Sequence, residues 1–293
     1  TTSATVTFTD DRIVDDVFTA SYTNAAFADA LVGTAKSISV SGISISGLDA
    51  TNYSVLNLET NAIADITPAS LTPVITAENK MYDTTDTASI ASRSLTGIIG
   101  SDDAVIVGGL AGFDNANAGI GKTVTATGFS LKGANSSNYV LATEIATTTA
   151  DILPVELIAG ITADNKVYDG NNAAIIATRS LAGVIGSDQV ALTGGSAAFA
   201  DKNVGNEKPV SASGLGLSGS DAGNYSLAST TANTTADISP ASVTPNVTVQ
   251  NKIYDGTTGA TIASQSLSGV IAPDVVTLAN ASASFEDKNV GAN

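Results

Sequence analysis

The chain repeats itself at a fixed interval. Asn79-Lys80-Met81-Tyr82-Asp83 returns as Asn165-Lys166-Val167-Tyr168-Asp169 and as Asn251-Lys252-Ile253-Tyr254-Asp255, a step of 165 − 79 = 251 − 165 = 86 residues. Phe27, Phe113, Phe199 and Phe285 keep the step, as do Gly33, Gly119, Gly205 and Gly291 six residues after them. Asn52-Tyr53, Asn138-Tyr139 and Asn224-Tyr225 obey it, and so do Ala64-Asp65-Ile66, Ala150-Asp151-Ile152 and Ala236-Asp237-Ile238. Self-similarity at a fixed period marks a chain assembled from copies of one structural unit.

A proline follows each Ala-Asp-Ile run two residues on, at Pro68, Pro154 and Pro240. Proline fixes φ and favours extended backbone in the residue before it, and no Gly/Ser tract surrounds these positions. Short, semi-rigid junctions are expected there. The chain divides into a partial repeat at 1–67, whole repeats at 68–153 and 154–239, and a partial repeat at 240–293. Thr1 aligns with Thr87 and Asn293 with Gly121. The expected setting is therefore a longer array, with any export signal or anchor outside this stretch. The first 20 or so residues match the other copies poorly and carry Asp10, Asp11, Asp15 and Asp16.

Within a repeat the pattern is β. Lys122 to Thr127 alternates with period two and meets Gly128; Lys208 to Ser213 and Lys36 to Ser41 do the same before Gly214 and Gly42. Each reads as a half-buried strand ending at a glycine turn. Gly47, Gly133 and Gly219 mark the next turn. No window shows helical periodicity. The fold expected is all-β: tandem 86-residue modules of six to eight short strands, sandwich-like or β-grasp-like, set end to end as a rod.

Composition narrows the chemistry. Hydrophobic residues make up 43% of the chain, enough for real cores. With no Cys and no His, disulfides, thiolate or imidazole zinc sites and His-activated nucleophiles all drop out. Twelve basic against 28 acidic residues give a net charge of −16, which repels phosphate backbones, so nucleic acid is not an expected partner. No stretch approaches the roughly 20 apolar residues of a membrane-spanning helix.

Several motifs invite a functional reading. Tyr168-Asp169-Gly170 and Tyr254-Asp255-Gly256, with Tyr82-Asp83-Thr84 as the variant copy, read as turns in which Asp-Gly takes left-handed geometry and Tyr packs over the module edge. A glycan-stacking ring is the functional alternative. Asp102-Asp103, Glu286-Asp287 and Asp15-Asp16 could offer oxygens to calcium, but the spacing is poor and Asp103 becomes Gln189 in the next copy. Solvated charge is the expectation. Lys80, Lys166 and Lys252, each with an Asn and an Asp nearby, raise a self-formed Lys–Asn amide cross-link, which needs all three groups buried together. Thr147-Thr148-Thr149 does not recur as a ladder and reads as exposed strand threonine. No residue is assigned a catalytic, cofactor-binding or metal-ligating role, and no cofactor is expected.

These tyrosine motifs, with Phe199-Ala200-Asp201-Lys202-Asn203-Val204-Gly205 and Ala222-Gly223-Asn224-Tyr225, resemble the YDG-type repeat of filamentous-haemagglutinin-like bacterial surface adhesins and biofilm-matrix proteins. The resemblance spans nearly the whole chain. It departs at Phe113-Asp114-Asn115-Ala116-Asn117-Ala118-Gly119, which lacks the Lys, and at Phe27-Ala28-Asp29-Ala30-Leu31, which lacks Lys and Asn; those positions are expected to face solvent. The resemblance implies an extracellular, cell-surface stalk or spacer that carries a distal binding region. A binding module would show one copy with an unusual loop, and an enzyme would show convergent ionisable groups in one copy; neither pattern is present. The expected partners are neighbouring repeats of the same chain, then extracellular polysaccharide or other adhesin copies. Weak glycan or homotypic binding by the array is the alternative function.

Overall fold

The computed structural model describes residues 1–291 and is almost entirely β, with three-residue 3-10 turns at Ala50–Asn52, Ser136–Asn138 and Ala222–Asn224. The second repeat builds two sheets. Tyr139–Leu141, Ala69–Ala77 and Ile90–Thr96 form a mixed three-stranded sheet, in which Tyr139–Leu141 runs parallel to the start of Ala69–Ala77. Lys80–Met81, Ile145–Leu153, Gly119–Lys132, Val105–Phe113 and Thr87–Ala88 form a five-stranded sheet in that order. The third repeat reproduces both sheets, and every sheet draws its strands from a single repeat. Each whole repeat thus has eight strands. The arrangement is sandwich-like; among the described residues no α-helix lies across a sheet as a β-grasp requires.

Contacts gather the chain into two compact units. One holds Thr1–Lys80, Thr85–Ala116 and Ile120–Ile152; the other holds Met81–Thr84, Asn117–Gly119 and everything from Leu153. Two short pieces of the second repeat, carrying Tyr82 and Ala118, therefore pack with the third.

The junctions are as short as the prolines imply. Pro154 alone separates strands Ile145–Leu153 and Val155–Ala163 along the chain. In the first unit, two residues separate Glu59–Ile66 from Ala69–Ala77.

One expectation fails in an instructive way. Gly128 and Gly214 do not end their strands: Gly119–Lys132 and Gly205–Ser218 run through them. Gly128 has φ +77°, and Gly108 and Gly109 on the paired strand have φ +78° and +92°. The hairpin bends there as a unit, so one strand serves both halves of the core. A Cβ on Gly109 would sit 2.4 Å from Cε1 of Phe129, which is why a side chain is missing at this corner.

Alternation places the core. Val124 and Ala126 are buried while Thr123, Thr125 and Thr127 face solvent. Ile75, Ile106, Ala126, Phe129 and Ala146 form one cluster in the second repeat, and Ile161, Leu192, Ala212, Leu215 and Ala232 form its counterpart in the third. Phe113 and Phe199 are 5% and 2% exposed. Phe199 packs with Val210, Ala236 and Ile238. In the fourth repeat the strand Thr244–Val249 is exposed along its length.

Candidate functional site

The recurring side-chain geometry lies at the repeat edges. In the second and third repeats the Asn-Lys-x-Tyr-Asp run puts a short strand, Lys80–Met81 or Lys166–Val167, at a sheet edge and then turns. The lysine secures the turn: Lys166 donates to the carbonyls of Asn171 and Ala173, both at 3.0 Å, and pairs with Asp169 at 2.7 Å. Lys80 makes the same reach to Thr85 and Thr87, and Lys252 to Thr257. Each ammonium also lies 5.8–5.9 Å from the ring of Phe113, Phe199 or Phe285. The adjacent Asn165 accepts from the Asp237 amide at 2.7 Å, as Asn79 does from Asp151.

This geometry does not suit an amide cross-link. Asn79 and Asn165 are held by Asp151 and Asp237, and Asp169 and Asp255 are half-exposed carboxylates. Hydrogen bonding from Lys252 brings Asp255 down to about 2, and Lys166 lowers Asp169 in the same direction. A proton-shuttling carboxyl would need the opposite environment.

The turn takes left-handed backbone as expected: φ is +82° at Gly170 and +77° at Gly256. Thr84 holds the same conformation at φ +70° without being glycine.

The tyrosine beyond the lysine reaches the next repeat. In the second unit, Tyr82 donates its hydroxyl to Oδ2 of Asp188 at 2.9 Å, 106 residues on, and Tyr168 donates to Oδ2 of Asp274 at 2.5 Å over the same spacing. Asp188 also accepts Tyr225 at 2.6 Å, and the Tyr82 and Tyr225 rings meet edge to face with centroids 5.6 Å apart. Burial and the bond to Asp188 push the Tyr82 hydroxyl up to about 12. Tyr82 is 6% exposed.

A second contact accompanies the first. The Ala118 amide donates to Oδ1 of Asn224 at 2.8 Å, and Asn224 is 5% exposed. Within the first unit, Val32 donates in the same way to Oδ1 of Asn138 at 3.1 Å, again 106 residues apart. The joint between the second and third repeats thus combines a tyrosine hydroxyl on an aspartate with a loop amide on an asparagine, while the first-to-second joint shows the amide contact and the third-to-fourth the tyrosine contact.

The acidic positions are therefore not simply solvated charge. Asp16, Asp102 and Asp188 each accept a hydroxyl from the Asn-Tyr tyrosine of their own repeat, Tyr53, Tyr139 and Tyr225. The signal was present in the sequence: positions 16, 102, 188 and 274 are aspartate in all four copies. Lys202, half-exposed, lies 3.3 Å from Asp274 and 5.8 Å from the Tyr168 ring; these two partners raise its pKa. Its counterparts Ala30 and Ala116 cannot do this.

Carboxylates that accept phenolic hydroxyls, accompanied by an amide donating to asparagine, can fasten one repeat to the next. These features define a tandem array of all-β repeats joined through recurring side-chain latches. The YDG domain matches residues 1–62, 67–150, 153–232 and 239–293, and the chain belongs to that family. A comparison with curated proteins finds no match.

Proposed function

We propose that the chain is a non-enzymatic spacer, a stalk segment of a secreted, cell-surface bacterial adhesin or matrix protein of the filamentous-haemagglutinin-like kind, which extends a distal binding region. The recurrence of one joint chemistry, Tyr82 on Asp188 and Tyr168 on Asp274 at identical spacing, carries this reading. A spacer needs successive repeats fastened to one another, and latches such as Tyr82–Asp188 and Ala118–Asn224 support that reading. The tyrosines that could have stacked on a glycan are engaged by aspartates, which disfavours a ring-stacking lectin role for Tyr82 and Tyr168.

Small-angle scattering tests the reading. A spacer should be extended, with each whole repeat adding roughly 35–45 Å to the longest dimension, as expected for a folded unit of this size. A compact particle overturns it. So does turnover of glycosidic, ester or peptide substrates that a single carboxylate substitution abolishes.

A further inference from the structure

Two tyrosines from different repeats share one acceptor atom. Tyr82 and Tyr225 meet edge to face, with planes 75° apart and centroids separated by 5.6 Å, and both donate to Oδ2 of Asp188, at 2.9 and 2.6 Å. The hydroxyl ends of the two rings therefore converge, and the ortho carbons, which flank the hydroxyl-bearing carbon, converge with them. Both residues are buried, so packing holds the rings in this contact. Among the described residues no other two tyrosine rings meet. Tyr53 donates to Asp16 in the same way, but its ring neighbour is Phe18, at 4.9 Å.

Composition directs one-electron oxidation to such rings. The chain has no Cys and no Trp, and Met81 is its single methionine. Tyrosine is thus the side chain that most readily yields an electron, and an electron can tunnel out of a buried ring without contact with the oxidant. A phenol gives up its electron easily only when its proton leaves too, and the Asp188 carboxylate stands against both hydroxyls to take it. Asp188 is half-buried, so a proton that it accepts can pass on to water. Burial and the Asp188 bond keep the Tyr82 hydroxyl protonated at neutral pH, which makes that proton acceptor necessary.

We propose that Tyr82 and Tyr225 form an oxidative cross-linking site, at which the two rings couple through their ortho carbons to a dityrosine that ties the second repeat covalently to the third. The oxidant is hydrogen peroxide acting through a peroxidase-type one-electron oxidant. Each tyrosine loses one electron to that oxidant and its phenolic proton to Asp188, leaving two neutral phenoxyl radicals. A carbon–carbon bond forms between the ortho carbons, and the two ortho hydrogens then move as protons to the phenolic oxygens and restore aromaticity. In sum, two tyrosines and one hydrogen peroxide give one dityrosine and two waters. The rings of a biaryl are twisted about the bond that joins them, so the 75° between these planes does not oppose coupling. Holding the partners in contact replaces a diffusional encounter. Like any cross-link, the bond limits the freedom of the unfolded chain, and it makes a hydrogen-bonded latch permanent. The inference rests on the joint geometry and not on the spacer reading, which scattering tests separately.

Brief illumination of the dilute 293-residue chain with tris(bipyridyl)ruthenium(II) and persulfate, an outer-sphere one-electron oxidant that needs no binding site, tests it. The monomer fraction is isolated by size so that links between chains are not counted. The expected product is a monomer lighter by two hydrogens, with dityrosine fluorescence, whose digest contains one peptide pair joined through Tyr82 and Tyr225. Tyr82→Phe and Tyr225→Phe each keep a ring at the joint and should abolish that pair. Oxidation in guanidinium, where the rings part, should abolish it as well. Asp188→Asn removes the proton acceptor and should lower the initial rate of linking by about ten-fold or more; an unchanged rate overturns the proton route through Asp188. A native chain, folded by circular dichroism, whose oxidised monomer holds no Tyr82–Tyr225 pair overturns the proposal. So does a monomer link that forms equally in the Tyr225→Phe chain, since it would join other tyrosines.

Discussion

Tyr82 and Asp188 stand 106 residues apart and are joined at 2.9 Å, on an oxygen that Tyr225 also uses. The signature tyrosine of one repeat is thus an anchor for the next, and its conservation of register reflects the joint as well as the turn. Tyr82→Phe keeps the ring against Tyr225 but deletes the hydroxyl. It should lower stability by about 1 kcal/mol, the usual net value of one hydrogen bond. Hydrogen exchange should quicken at Ile185, whose amide donates to the Tyr225 hydroxyl at 3.1 Å. Unchanged exchange there would show that the two tyrosines are not coupled through Asp188.

Thr84 tests the turn. It holds φ +70° where Gly170 and Gly256 hold the same sign freely, and a side chain in left-handed backbone costs roughly 1–2 kcal/mol. Part of that gain is offset by the greater unfolded-state freedom of glycine. Thr84→Gly should therefore stabilise the protein by about 1 kcal/mol, seen as a higher melting temperature. A lower one would mean that the Thr84 side chain contributes packing worth more than the strain.

Much of this was legible in the residues, and what was missed shares one cause. Alternation at Lys122 to Thr127 and the repeated Phe113 and Phe199 are local signals of burial, and local signals identify strands and core. Whether Gly128 turned the chain or bent it depended on Gly108 and Gly109 across the hairpin, which a single strand does not reveal. The joint contacts of Asp188, counterpart of Asp102, and of Lys202 were hidden because their partners, Tyr82 and Asp274, lie 106 and 72 residues away. Within one repeat nothing marks those positions; only the four-fold recurrence of aspartate at 16, 102, 188 and 274 did, and it does not say which residue the aspartate faces.

Phe199 is 2% exposed and closes the cluster of Val210, Ala236 and Ile238. Truncating it to Ala should cost about 3–5 kcal/mol, a large part of the stability of so small a core. Repeats in an array interact mainly with neighbours, so loss of amide protection should concentrate in residues 154–239 and be smaller in 68–153. Equal loss in both would show that the two whole repeats fold as one cooperative block.

The joint to the fourth repeat should respond to acid. The hydroxyl that Tyr168 donates, followed by the Lys202 ammonium, holds Asp274 below the usual carboxylate range. A carboxylate whose folded pKa is depressed stabilises the state in which it is paired at pH values above its unfolded pKa, near 3.9, and that contribution is lost as pH falls through the folded value. The joint should be constant from neutral pH down to about 5 and loosen below about 4. Amide exchange in the turn around Gly170, which abuts Ile271, should accelerate over that window. Asp274→Asn should remove most of the acid response while the cores of the second and third repeats keep their protection. An acid response of the same size in the Asp274→Asn chain would place the titrating group elsewhere and show that the Tyr168–Asp274–Lys202 contact does not govern the joint.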